Sequence, residues 1–207
     1  MARYTEGVCK QCRRERMKLF LKGAKCETMK CPVERKPYPP GEHGRGRIRE
    51  SEYLLQLREK QKARRIYGVL EQQFRNLYQQ ASRQGGITGE NLLRMLEQRI
   101  DNVVYRTNFA ASRNQARQLV RHGHVLVDGK RVTIPSYQVR EGSVVSLGPK
   151  AKNNIVIRHN VDTIDRAIPG WLEVSAERLE ATVRGAPLRE QIDVPVREQL
   201  IVELYSK

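Results

Sequence analysis

The sequence predicts an α+β fold, with a mainly helical first part and a small helix-plus-sheet module after it. Three observations carry this. Apolar residues recur at helical spacing between positions 51 and 103, a capped basic helix leads into an Asp-Gly hairpin at 112–133, and all four cysteines fall between positions 9 and 31.

Residues 1–36 form a basic segment bearing the cysteines. In 37–49, Pro37-Tyr38-Pro39-Pro40-Gly41-Glu42-His43-Gly44-Arg45-Gly46-Arg47 reads as an extended, irregular arm, because proline fixes φ and glycine frees it. A helical domain over 50–91 follows. Ser51 caps a helix through Arg65, with Leu54, Leu55 and Leu57 expected inside and Arg58, Lys62 and Arg65 outside. Leu70, Phe74, Leu77 and Ala81 predict a second helix, closed by Gly85-Gly86. Thr88 caps a third, in which Leu92, Leu96, Ile100 and Val103 repeat at helical spacing.

The module over 92–174 contains a short helix, Arg113 to His122, capped by Ser112 and stopped at Gly123. Asp128-Gly129 joins His124–Val127 to Lys130–Thr133, since this dipeptide suits the positive φ angles of a type I′ turn. Val144–Leu147 reads as a further strand, Ile155–Ile164 as a helix, and 175–207 as a return segment whose apolar end, Leu200 to Tyr205, docks on the rest.

The 207 residues carry 39 Lys+Arg against 23 Asp+Glu, a net charge of +16. The excess is mostly arginine, whose fork matches phosphate geometry, so a polyanion and above all a nucleic acid is the expected partner. The charge is uneven: residues 1–150 hold 31 basic and 14 acidic side chains, while 151–207 hold 8 and 9. The polyanion is therefore expected on the first three-quarters of the chain. No apolar run reaches the roughly 18 residues of a membrane span, and the N-terminus has no apolar run of the secretory kind. No Walker loop, G-x-S-x-G elbow or H-E-x-x-H occurs, and no histidine sits in a recognisable nucleophile setting, so neither an enzyme nor a small-molecule substrate is expected.

The cysteines are spaced Cys9-x2-Cys12-x13-Cys26-x4-Cys31. Two close pairs joined by a loop suit one structural, tetrahedral Zn²⁺, and Lys10, Arg13, Arg14, Lys25 and Lys30 offset the charge of four thiolates. Two disulfides, a redox or iron–sulfur site and plain buried thiols are the alternatives. Four cysteines complete the metal shell, so His43 is read as an arm residue that contacts RNA, with a fifth ligand as the alternative. In the short helix, Ala116, Leu119 and Val120 mark a core face. Arg113, Arg117 and Arg121 form a stripe beside it, joined by His122, His124 and Arg131, with no acidic residue between Asp101 and Asp128 to balance them. Arg58, Lys62 and Arg65 make a second basic face. Each is read as phosphate-binding against the plainer reading of a solvated charged face.

The stretches MARYTEGVCKQCRRE, PYPPGEHGRGR, LREKQKARRIYGVLEQQFRNLY, RIDNVVYRTNFAASRNQARQLVRHGHVLVDGKRVTIPSYQVREG and VREQLIVELYSK resemble the bacterial small-subunit ribosomal proteins of the S-four family, in its zinc-bearing four-cysteine form. The resemblance spans nearly the whole chain and implies an S-four RNA-binding domain, helices packed on a small antiparallel sheet, inserted into a helical domain that the C-terminus closes. It further implies a structural, cytoplasmic role. Such proteins bind the 5′ domain of 16S ribosomal RNA at a multi-helix junction early in assembly, contact ribosomal protein number five near the path of incoming mRNA, and affect decoding accuracy. Carried onto this chain, Arg113, Arg117, Arg121, His122, His124 and Arg131 are ledge contacts of the inserted domain. Arg13, Arg14, His43, Arg45, Arg47, Arg49, Arg58, Lys62 and Arg65 are contacts from the other. Asp128 stands where the family commonly has Asn, Ser143 where it has Asp, and Arg197 where it has Asn. Competing readings are an RNA-modifying enzyme that uses an S-four domain as its grip, which would need a catalytic domain, and a zinc-dependent regulator, which would need a groove-reading helix or a heptad seam.

Overall fold

Helix caps and turn residues set most of the local structure. The computed structural model describes residues 3–46 and 49–206. The chain divides into two compact units, one running to Asn91 and resuming at Val194, the other spanning Leu92–Asp193. The second unit thus continues past position 174, where the sequence reading ended it. The cause is a pair of strands between 172 and 183 that the reading did not assign.

In the first unit, α1 (Cys9–Arg14) and α2 (Pro32–Arg35) flank the cysteine loop. The long helix α3 (Glu52–Ile66) starts where Ser51 Oγ accepts the Leu54 N–H at 3.2 Å, the cap its sequence calls for. Its orientation differs from expectation. The buried positions are Gln56, Lys60, Ala63 and Ile66, whereas Leu55 is 44% exposed. The reason lies at the other end of the chain, because the helix Glu198–Tyr205 packs along this face with polar as well as apolar groups. Gln56 donates to Glu203 at 3.1 Å, and Lys60 donates to Glu71 at 2.6 Å while lying 5.4 Å above the Tyr205 ring. Tyr205 also stacks on Tyr78 at 4.5 Å and on Phe74 at 6.5 Å, rings carried by α4 (Glu71–Ser82).

The expected third helix is two helices, α5 (Thr88–Glu97) and α6 (Ile100–Arg106). The backbone breaks at Arg99, which is extended (φ −64°, ψ 135°). There it pairs in antiparallel fashion with Gln138, and the Ile100 N–H donates to the Tyr137 carbonyl at 2.8 Å. Pairing with a distant loop overrides the helical periodicity of the leucines, all of which remain fully buried.

The second unit packs α6 and α7 (Arg113–Arg121) on a five-stranded sheet of order β2-β1-β3-β5-β4. The strands are β1 (Val125–Val127), β2 (Lys130–Arg131), β3 (Val144–Leu147), β4 (Leu172–Ser175) and β5 (Glu180–Val183), and every pairing is antiparallel. Asp128 and Gly129 both take positive φ (50° and 76°), the type I′ geometry that joins β1 to β2. Two short helices, α8 (Pro149–Lys152) and α9 (Ile155–Thr163), lie between β3 and β4, and α10 (Glu198–Tyr205) is the C-terminal helix of the first unit. The core of the second unit holds Ile100, Val103, Phe109, Val120, Val145, Leu147, Trp171 and Val183. Among the described residues, no helix is long and apolar enough to cross a membrane.

Candidate nucleic-acid interface

The basic residues singled out by sequence separate into those tied to the protein and those held out from it. Arg117 belongs to the first group and corrects the stripe reading. Its side chain is 5% exposed, and Nη1 lies 3.6 Å from the Asp101 carboxylate. Arg117 sits on α7 roughly 60° around from the core residue Val120, at about 100° per residue. The buried carboxylate of Asp101, which also receives a two-pronged bond from Arg99 (2.8 and 3.1 Å), makes an interior place for it. Arg113 is half-buried: Nε donates to Asn102 Oδ1 at 2.8 Å, and its guanidinium lies 4.2 Å from the Tyr105 ring centre. Arg166 lies 3.8 Å from the same ring and donates to the Tyr105 carbonyl at 2.6 Å. Asn102 is itself fixed by Glu97, which holds Arg106 with two 2.9 Å bonds.

The other residues of the ledge are at the surface. Arg121 and His122 are exposed at the end of α7, and His124 is half-buried at the start of the hairpin, its ring 6.2 Å from that of His122. Arg131 completes the group. Gly123 turns the chain with φ 72°, and a Cβ there would collide with the Arg131 guanidinium, so the missing side chain lets the hairpin lay its arginine against the helix end. Lys130, exposed in the same hairpin, was not selected by the sequence reading. Nothing separates it by pattern from Arg131.

In the first unit, Arg58 and Arg65 converge on Glu15, whose side chain is 1% exposed. Burial raises the Glu15 carboxyl above its ordinary value despite the two guanidiniums, and burial likewise lowers Arg65. Lys62 bonds Glu59 at 2.5 Å and the Pro195 carbonyl at 3.2 Å, and Glu59 in turn receives the Arg197 N–H. These three cations are partly neutralised within the protein rather than free on an outer helix face. Arg13 also works inward: Nε donates to the carbonyls of Tyr38 and Lys36 (3.0 and 3.2 Å), and its guanidinium lies 5.0 Å from the Tyr38 ring centre. Arg45 donates to Tyr38 Oη at 3.2 Å, which pulls that phenol below its ordinary value. This fixes the arm around a short turn, Glu42–Arg45, where a Cβ on Gly44 would strike the Pro39 carbonyl. Arg14, His43 and Arg49 are exposed, and Arg47 lies outside the described residues.

The cysteines are free thiols, with Cys12, Cys26 and Cys31 buried and Cys9 half-buried. Burial pushes Cys12 up to about 11 and also raises Cys26, and the other three sulfurs add to the Cys12 shift. Two backbone groups oppose this: Lys22 N–H points at Cys26 Sγ at 3.3 Å, and Leu19 does the same for Cys12. Such donors stabilise thiolates. The four sulfurs are therefore electrostatic neighbours in a donor set of the soft kind that zinc prefers. Among the described residues, no group of three or more His, Cys, Asp or Glu is already gathered as a metal site.

Comparison with known proteins bears on the chain as a whole. The family model of the ribosomal protein S4/S9 N-terminal domain matches residues 3–97, and that of the S4 domain matches 98–145. The small ribosomal subunit protein uS4 of Acidothermus cellulolyticus is 64% identical over 209 residues, and that of Frankia casuarinae 58% over 209. The protein of the same name from Pelotomaculum thermopropionicum is 58% identical over 208, and all three alignments cover 100% of both chains. With the two family models matching consecutive stretches up to residue 145 and full-length relatives above half identity, the chain belongs to the uS4 family of small ribosomal subunit proteins.

Proposed function

We propose that the chain is a structural constituent of the small ribosomal subunit, a protein that holds folded ribosomal RNA and carries out no chemistry of its own. The full-length likeness to small-subunit proteins carries this reading. On this reading the protein resides with the subunit in the cytoplasm.

The finer reading is that it binds the 5′ domain of 16S ribosomal RNA at a multi-helix junction and nucleates assembly there. It would adjoin ribosomal protein number five near the path of incoming mRNA and so contribute to translational accuracy. The cluster of exposed Arg121, His122 and Arg131 with half-buried His124 supports it. Cations presented from a helix end and a tight hairpin fix register on phosphates instead of reading base sequence. The near-neutral stretch 151–207 suits protein neighbours better than RNA.

Cys9, Cys12, Cys26 and Cys31 would hold one structural Zn²⁺. The metal supplies folding free energy to a segment too small to fold on an apolar core.

Crosslinking in cells followed by sequencing of the bound RNA tests the reading. A dominant patch in the 5′ domain of small-subunit RNA is the expected result. Spread over transfer RNAs or large-subunit RNA would overturn it and favour a shared binding module used for something else.

A further inference from the structure

Beside the N-terminal segment, a cleft of about 320 Å³ opens between the turn that follows α1, the proline arm and the first turns of α3. Its size sits near the bottom of the roughly 300–1,000 Å³ range of small-molecule sites, too small for any helical stem. Met17, Pro39 and Leu54 give it an apolar wall, and Arg14, Arg16 and Glu50 lie around it. The two inner cations are already engaged, Arg58 with Glu15 and Lys62 with Glu59. Arg14, Arg16 and Glu50 are exposed, and their side chains have no hydrogen bond or ion pair among the described residues. Arg16 is held with φ 56°, a left-handed conformation that costs an arginine energy and turns the chain sharply away from α1. Arg58 Nε, buried next to the cleft, has no acceptor.

From this arrangement we infer that the cleft receives a single unstacked nucleotide of the bound ribosomal RNA. The base lies on the Met17–Pro39–Leu54 wall, Arg14 and Arg16 hold the flanking phosphates, and the Glu50 carboxylate accepts from an amino group on the base edge. Unpaired bases splayed from a folded RNA are what protein surfaces recognise by stacking and edge contacts. Two unpartnered arginines at the mouth of an apolar cleft match a nucleotide's charge and its flat face together. An exocyclic amino group is the natural donor to Glu50, so adenine, cytosine or guanine is favoured over uracil.

This inference rests on the ribosomal RNA reading above, and its test separates the two. The full-length protein is titrated with 5′-domain RNA across a salt series, alongside L54W, which fills the cleft. L54W should bind roughly tenfold more weakly, the scale of one lost base stack, with an unchanged salt slope because no phosphate contact is removed. A diazirine-bearing residue placed at position 17 should crosslink predominantly to one unpaired nucleotide, read as a reverse-transcription stop. Unaltered affinity in a folded L54W, or crosslinks spread along duplex backbone, would overturn the cleft inference and leave the RNA reading intact. If L54W fails to fold, the crosslink at position 17 decides alone. Failure of the wild-type chain to bind the RNA would overturn both.

Discussion

The guanidinium of Arg131 rests on the backbone of Gly123, so that one glycine couples the end of α7 to the hairpin that follows. Gly123 is also left-handed, and any other residue there both strains the backbone and displaces the arginine. Gly123→Ala should cost roughly 1–2 kcal/mol of stability from the left-handed conformation. It should also weaken RNA binding by moving Arg131. Arg131→Ala should weaken binding without the loss of stability. Thermal unfolding and RNA titration on both variants check this; a G123A protein with wild-type affinity would show that the placement of Arg131 is irrelevant to binding.

Arg117 and Arg121 stand one helical turn apart on α7 with opposite roles. Arg117→Ala leaves Asp101 with its two bonds from Arg99, so the cost falls below the roughly 3–5 kcal/mol of orphaning a buried charge, at about 1–3 kcal/mol. RNA affinity of the folded variant should change little. Arg121→Ala should leave unfolding unchanged, and the slope of log K against log salt should shrink by roughly 0.7–0.9, the share of one phosphate. Equal slopes for wild type and R121A would remove Arg121 from the phosphate contacts.

The first unit should weaken in mild acid through Glu71. Burial acts to raise that carboxyl, but hydrogen bonds from Lys60 and Tyr205, with the nearby charges of Lys60 and Arg64, outweigh it and hold it below its ordinary value of 4.5. A carboxylate lowered in the folded state contributes stability above its unfolded value. That stability is lost as pH falls through the folded one. Melting temperature should therefore drop between pH 5 and 3, and Glu71→Gln should flatten part of that drop while lowering stability at pH 7. An identical acid profile in the variant would mean that other carboxylates govern the transition.

What the sequence disclosed follows the range of the interactions. Ser51, Ser112 and Asp128-Gly129 act within four residues, and each produced the cap or turn its chemistry dictates. The leucines at 92 and 96 were rightly placed inside, yet the helix they imply breaks at Arg99, where pairing with Gln138 decides. Strands β4 and β5 were missed although β5 alternates in burial, because each is polar at two of its four positions (Glu173 and Ser175, Glu180 and Thr182) and its identity comes from the neighbouring strand. At the interface, residue type pointed to the basic ledge but not to which arginines face outward. Arg117 turns inward because of Asp101, and Arg58 and Arg65 are held by Glu15, 43 and 50 residues away in sequence. Charge count alone carries no trace of such partners.

The cysteine segment offers the sharpest test of a cofactor. Over residues 9–36, little is buried apart from Cys12, Leu19, Leu21, Cys26 and Cys31. At roughly 25 cal/mol per Å² of apolar area, so few side chains cannot offset the backbone entropy of ordering the segment. A bound metal would close the gap, and the Leu19 and Lys22 amides partly offset the burial that raises the Cys12 and Cys26 thiols. Native mass spectrometry should give one Zn per chain for the purified protein. The double variant Cys26→Ser, Cys31→Ser should lose it, and a chelator should make the segment sensitive to trypsin at Lys22, Lys25 and Lys30. The sheet module should keep its melting behaviour, since its core holds none of these sulfurs, whereas the helical domain should lose stability as Arg58 and Arg65 lose their buried partner Glu15. A double variant that retains its full zinc, or a segment equally protected with and without metal, would rule out the four-cysteine site.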